Sequence, residues 1–283
     1  MVGAGAVVIF NRLFDDAALF PPGNAPMGDA VPAHRSLRAR FGDLMGPFVT
    51  PASRLEQLLP YVVEESTLDL SLIAPAEDLA SALVAIDRPG LRLAAVEIPA
   101  VPTAPDARDV VKILDDVLPP DVPAFVELSW DALHVVDVLA GTRYRAKLRT
   151  GGPRADLFPS PPALADAMAA CAARDIPWKC TAGLHHAIRH TDPATGFEHH
   201  GFLNVLLAAA ALSDGASVLI AEGHLEAGYA QGIAAGIRAL SPSQAALARR
   251  LFTSFGTCSV LEPIDDLITL GLLPPPSTDG TTA

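Results

Sequence analysis

AFVELSWDALHVVDVLAGTRYRAKLRT (124–150) decides the fold. The stretch opens with a short apolar run, AFVELS (124–129), passes through a helix-like segment, DALHVVDVLA (131–140), and enters a second run, YRAKLRT (144–150). A strand, a helix and a strand at this spacing predict a parallel pair, because the helix carries the chain back to the edge where it started. Within both runs the residues alternate. Phe125 and Glu127 oppose Val126 and Leu128; Arg145, Lys147 and Arg149 oppose Ala146 and Leu148. One face is apolar and suits packing under helices. The other carries charge, and in a closed barrel that face points to the axis.

The same unit recurs along the chain. GPFVT (46–50) precedes SRLEQLLPYV (53–62), where Ser53 and Glu56 predict a capping box. LDLSLI (68–73) precedes EDLASALVAI (77–86), and LRLAAVEI (91–98) precedes DARDVVKILDDVL (106–118). YRAKLRT precedes PPALADAMAACAARD (161–175), and PWKCTA (177–182) precedes a polar loop and GFLNVLLAAAAL (201–212). A short first strand near Leu13–Phe14 and a last one near Leu251–Phe255 bring the strands to eight. The expectation is an α/β protein, a (β/α)8 TIM barrel, with residues 1–273 as one domain and 274–283 as a disordered tail. The segment 217–237 reads as strand or helix; if 217–221 were the eighth strand, 251–272 would be an accessory element. An open dinucleotide-binding sheet is disfavoured, since the glycines of MVGAGAVVIF (1–10) precede the apolar run instead of following it.

Composition narrows the function classes. The 283 residues suit one barrel, and the net charge of −12 without a basic patch argues against nucleic acid as a partner. Cys171, Cys180 and Cys258 show no CxxC spacing, which fits a reducing, cytoplasmic setting. The N-terminal apolar run is too short to cross a membrane and lacks a basic flank, so no membrane association is expected. No cofactor fingerprint is present; the expected partner is a small molecule, and the apolar helices are compatible with a homo-oligomer.

Lysine usage points to chemistry. Of the 20 basic residues 17 are arginine, and the lysines are Lys112, Lys147 and Lys179. A chain that uses arginine wherever charge suffices has kept lysine in two similar strand-like settings. An amine, unlike a guanidinium, can attack a carbonyl and form an iminium, an electron sink for making or breaking a C–C bond. Such an amine must lose its proton, and burial and a neighbouring cation both favour that. The bland alternative is that both lysines form lumen salt bridges with Glu127, Asp69 or Glu97.

Lys147 stands in K-x-x-T-G (147–151), Lys179 in K-x-T-x-G-L (179–184), Glu127 ends the preceding strand, and FGTCS (255–259) follows near the end. This order resembles the class I, Schiff-base aldolases of the deoxyribose-phosphate aldolase type. FDDAALFPP (14–22) looks like the acidic opening of that family. The matching stretches cover about a tenth of the chain. The resemblance implies a lyase in which Lys147 forms the imine, Lys179 is the second lysine, and the turn at Gly256 and Ser259 holds a substrate phosphate. This chain departs from the family pattern in three places. Only Glu97 can stand in for the fourth-strand aspartate, Ala182-Gly183 replaces a glycine pair, and the loop LHHAIRHTDPATGFEHH (184–200) is longer.

Other residues point to the mouth. Arg149 follows Lys147 on the charged face. His185 and His186 follow the seventh strand and are candidates for substrate binding or proton transfer. Asp15 or Asp16 is expected to point into the barrel opening. FGTCSVLEPIDDL (255–267) reads as a turn into a helix whose backbone N–H groups, with Ser259, suit an anion. Cys258 reads as packing, and Asn204 as a pin for the histidine loop. No HExxH or HxH is present, and no metal is expected. The competing readings are a metal-dependent hydrolase built on the histidine-rich loop and a non-catalytic barrel that binds a small anion.

Overall fold

The computed structural model describes residues 8–275. Residues 276–283, most of the expected tail, and the start of the N-terminal apolar run lie outside them. Eight parallel strands close into a barrel: β1 (Phe14–Asp16), β2 (Met45–Pro51), β3 (Leu68–Ile73), β4 (Leu91–Val101), β5 (Ala124–Leu128), β6 (Arg145–Arg149), β7 (Trp178–Thr181) and β10 (Phe252–Thr257). Each neighbours the next in chain order, and β10 closes the ring against β1 with Asp15 opposite Gly256. The two short strands between, β8 (His190–Thr191) and β9 (Glu198–His199), form a separate antiparallel hairpin. This is the TIM-barrel architecture, and the strand at 252–257 closes it. The alternative eighth strand at 217–221 is overturned: Val218–Glu226 is helical.

The alternation read from the sequence becomes the two sides of the barrel wall. Leu70, Leu72, Val96, Ile98, Val126, Leu128, Ala146, Leu148, Trp178 and Cys180 are all buried in the apolar core. Burying each large apolar side chain stabilises the barrel by about 1.5–3 kcal/mol. The helices that cover this layer include α1 (Met27–Phe41), α2 (Leu79–Ile86), α3 (Ala104–Val117) and α4 (Pro161–Ala172). Thr103 caps α3 by accepting from Asp106 N, and Ser160 caps α4 by accepting from Ala163 N, each satisfying an otherwise unpaired first-turn donor.

Between β7 and β10 the chain adds a second shell. The helix α5 (Phe202–Ser213) is buried along its first nine residues, because it lies between the barrel and the helices α6 (Val218–Glu226), α7 (Ala230–Ala239) and α8 (Pro242–Leu251). A helix covered on all sides needs no polar stripe, which explains the run FLNVLLAAAA. The last helix, α9 (Leu261–Thr269), follows β10. No helix among the described residues is long and apolar enough to cross a membrane.

Two local expectations give way. Ser53 makes no cap: it lies inside a 3-10 turn, Ala52–Arg54, that starts behind Pro51, and the next helical turn has no side-chain cap. The segment after β5 is likewise mostly a 3-10 turn, Trp130–Val135, broken at Ala132.

Candidate functional site

The strand parity brings the charged face together inside the lumen. Glu127, Lys147, Lys179 and Ser254 lie in register on four neighbouring strands, β5, β6, β7 and β10. Their side chains join Asp15 of β1, Ser71 of β3 and Glu97 of β4 in a continuous chain. Ser254 Oγ donates to Asp15 Oδ2 at 2.8 Å, and Lys179 Nζ donates to the same oxygen at 2.6 Å. Lys179 Nζ also donates to Glu97 Oε1 at 2.6 Å, an oxygen that Ser71 Oγ reaches at 2.7 Å. Lys147 Nζ lies 3.0 Å from Glu97 Oε2 and 3.1 Å from Glu127 Oε2. Arg149 ends the chain, its Nε donating to Glu127 Oε1 at 2.8 Å.

Three carboxylates thus alternate with three cations. Apart from Arg149 all of these residues are buried, at most 8% exposed. An unpaired charge at such depth would cost several kcal/mol, so the alternation is what lets the lumen hold charge at all. Burial alone would protonate Glu97, but Lys179 and Lys147 together hold it well below the usual carboxylate range. Burial would likewise neutralise Lys179, but Asp15 and Glu97 overcome it and hold the amine protonated. Asp15 differs: burial raises it above its ordinary value despite Lys179, making it the carboxyl of this pair that takes up a proton more readily. Phe125, on the same face, places its ring 5.4 Å from Lys179 Nζ.

One glycine makes room for this chain. A Cβ at Gly46 would sit 1.9 Å from Asp15 Oδ1, so β2 must lack a side chain where the Asp15 carboxylate stands. A second close approach locks the loops after β6 and β7. A Cβ at Gly151 would lie 2.7 Å from the Cα of Gly183, and Thr150 Oγ1 donates to the carbonyl of Ala182. The threonine and glycine of K-x-x-T-G therefore tie two loops together. Ala182 (φ 60°) and Gly183 (φ 76°) are both left-handed; a glycine would enter that conformation more cheaply at Ala182.

The two opening aspartates part company. Asp15 enters the lumen, whereas Asp16 turns to the helix side and takes a contact of 2.9 Å from His34 Nδ1 of α1, with Ala18 N donating to its other oxygen. Successive strand residues face opposite ways, so only one of the pair can reach the axis. Asp69, also a lumen candidate, sits at the other end of the barrel under Arg12, Arg38 and Arg92.

The histidines pair off individually. His185 Nδ1 lies 2.9 Å from Glu262 Oε2 and 3.7 Å from Cys258 Sγ. Burial would lower this imidazole, but the hydrogen bonds and charges of Cys258 and Glu262 raise it to about 9. His186 Nδ1 lies 3.1 Å from Asp266 Oδ2, and that oxygen also accepts from Ala187 N. His186 and His190 line a depression of about 400 Å³ with Arg189, Ala230 and Asp266, and none of its lining residues belongs to the lysine group. Asn204 pins the loop: its Oδ1 accepts from Arg189 N, and its Nδ2 donates to the carbonyls of His224 and Ala227. Among the described residues no three His, Cys, Asp or Glu side chains gather as a metal site.

The turn after β10 carries a carboxylate at the start of α9. Ser259 N donates to Thr257 Oγ1, Gly256 lies within β10 opposite Asp15, and Glu262 occupies the first turn of α9. A carboxylate there opposes an anion at the same helix start. Glu97, legible as a stand-in for the family aspartate and as a lumen salt-bridge partner of the lysines, is the hub that pairs with both. Ser71 shares the charged face of its strand by alternation, whereas Ser254, Glu262 and Asp266 act through partners far away in sequence.

Comparison with protein-family models, with curated proteins and with solved structures returned no match.

Proposed function

We propose that this barrel is a lyase of aldolase type, acting on a small carbonyl compound through an imine formed by Lys147. The fold is consistent with an enzyme working on a small molecule at the strand ends, where TIM barrels carry their chemistry. The observation that carries the reading is the sharing of carboxylates: each carboxylate touching Lys147 is already engaged by a second cation, Glu97 by Lys179 and Glu127 by Arg149. Lys179 is held as a permanent cation by two carboxylates at 2.6 Å and is the poorer nucleophile.

In this reading Lys147 passes its proton to Glu127 and attacks the carbonyl carbon. Loss of water leaves an iminium. In the cleavage direction the bond one carbon removed breaks and its electron pair moves into the iminium, giving an enamine. The proton of the β-hydroxyl passes to Glu127, the other carboxylate in reach of Lys147, and an aldehyde departs. The enamine is then protonated at carbon, and water releases the second product and the free amine. Lys179 stabilises Glu97 and supplies positive potential beside the reacting centre.

Enamine formation exchanges the protons next to a carbonyl with solvent. With acetone or dihydroxyacetone in D2O, the protein should catalyse deuterium uptake visible by proton NMR, and Lys147→Arg should abolish it. Exchange that persists unchanged in Lys147→Arg rejects Lys147 as the imine-forming residue. The hydrolase alternative lacks a metal donor set among the described residues.

A further inference from the structure

We infer that the carbonyl compound taken by this barrel is uncharged: a short aldehyde or ketone without a phosphate or carboxylate group. The inference rests on the imine reading above and adds the substrate class. Its basis is the supply of cations around the opening. On the loops that follow the eight barrel strands, all within the described residues, there is no lysine and there are three arginines, Arg54, Arg154 and Arg189.

Each of these is already engaged. Arg154 grips Asp156 through Nε and Nη2, at 2.9 and 2.8 Å. Arg189 pairs with Glu198 at 2.9 Å. Arg54 has no carboxylate, but its Nη1 donates to the Leu19 carbonyl, bracing the loop after β1, and its Nε donates to Gln57. Arg149, at the rim of the lumen, is committed to Glu127. Acidic groups exceed them: the loop or first turn after the strands also carries Glu77, Asp78, Asp131, Asp192 and Glu262.

The helix start after β10 makes the same point. It is the place where free N–H groups and the helix dipole would favour an anion. Glu262 holds a negative charge there, and the nearest cation, His185, is paired with it at 2.9 Å. The lumen chain beyond is balanced, three carboxylates against three cations. An anionic substrate would enter an opening with no spare cation, in a chain of net charge −12. A neutral carbonyl compound meets no such penalty, and its hydroxyl groups would find acceptors.

The test is reductive trapping with borohydride, using probe pairs that differ only in the anionic group: dihydroxyacetone against dihydroxyacetone phosphate, and glyceraldehyde against glyceraldehyde 3-phosphate. The adduct on the intact full-length protein is followed by mass spectrometry. The neutral member of each pair should be trapped at least about tenfold faster at low salt, as expected for like-charge exclusion. In Glu262→Gln, with His185 released, the gap should narrow. Equal or faster trapping of the anionic members at Lys147 would overturn the substrate class and leave the imine reading standing. Trapping of neither member would overturn the imine reading, and this inference with it. An unchanged gap in Glu262→Gln would refute the role given to the turn after β10.

Discussion

Glu97 Oε1 lies 2.6 Å from Lys179 Nζ, deep in the barrel, while the other oxygen of the same carboxylate lies 3.0 Å from Lys147 Nζ. One carboxylate therefore joins two amines on adjacent strands. Replacing it by the near-isosteric amide, Glu97→Gln, leaves Lys179 with Asp15 alone. Removing one partner of a buried charge network costs about 3–5 kcal/mol, and the melting temperature should fall accordingly. Exchange of ketone protons should slow as well, because Lys147 loses the carboxylate at 3.0 Å that positions its amine. A Glu97→Gln protein of full stability and full exchange activity would remove Glu97 from the account.

The two lysines should answer differently to arginine. Lys147→Arg keeps a cation between Glu97 and Glu127 but cannot form an imine, so exchange should vanish while the fold survives. Lys179→Arg forces a larger, planar group between Asp15 and Glu97, each 2.6 Å from the present amine. Its main effect should be on stability, about 1–3 kcal/mol by overpacking. Circular dichroism melting beside the exchange assay separates the two effects.

Gly46→Ala tests how tightly Asp15 is seated. The added Cβ would fall 1.9 Å from Asp15 Oδ1, on a short side chain with little room to yield. The carboxylate must leave its place between Ser254 and Lys179. We expect a loss of about 1–3 kcal/mol in stability and reduced exchange. Wild-type behaviour in both would mean that the carboxylate is more loosely held than the distances indicate.

Two histidines set opposite limbs of the stability profile. Burial holds His200 down to about 4, with its Nε2 donating to the Pro159 carbonyl at 2.8 Å and its Nδ1 without a partner. Its ordinary value is about 6.5, so the unfolded chain binds the proton first, and stability falls as pH drops from about 6.5 toward 4. His185 is raised to about 9, so its contribution is complete below about 6.5 and is lost as pH rises through 9. Melting temperatures across pH 4–10 should flatten on the acid side in His200→Gln and on the alkaline side in Glu262→Gln. An acid limb unchanged in His200→Gln would assign it elsewhere.

The barrel was legible because its signal is local and repeated. Alternation within five or six residues assigned Lys147, Glu127 and Glu97 to one face, and a parallel register then aligned Glu127, Lys147 and Lys179 on adjacent strands. The closing strand was legible through FGTCS (255–259), whose place at the end of the motif order favoured 251–255, while 217–237 could be read either as strand or as helix. What the sequence left open is long-range. Asp15 and Asp16 look equivalent until the register of a three-residue strand chooses one. His185 and His186 find their carboxylates 77 and 80 residues onward, on a helix whose acidic face reads as an ordinary solvated one. The polar histidine loop likewise gave no hint that it would fold as a hairpin around His190 and His199.

The most direct measurement locates the covalent bond. The wild-type protein is incubated with dihydroxyacetone, reduced with borohydride, digested, and sequenced by tandem mass spectrometry. One reduced adduct is expected, on Lys147 in the peptide carrying AKLRTGG (146–152), absent in Lys147→Arg and present in Lys179→Arg. An adduct on Lys179, or none on either lumen lysine while a reference Schiff-base aldolase is labelled under the same conditions, would contradict it.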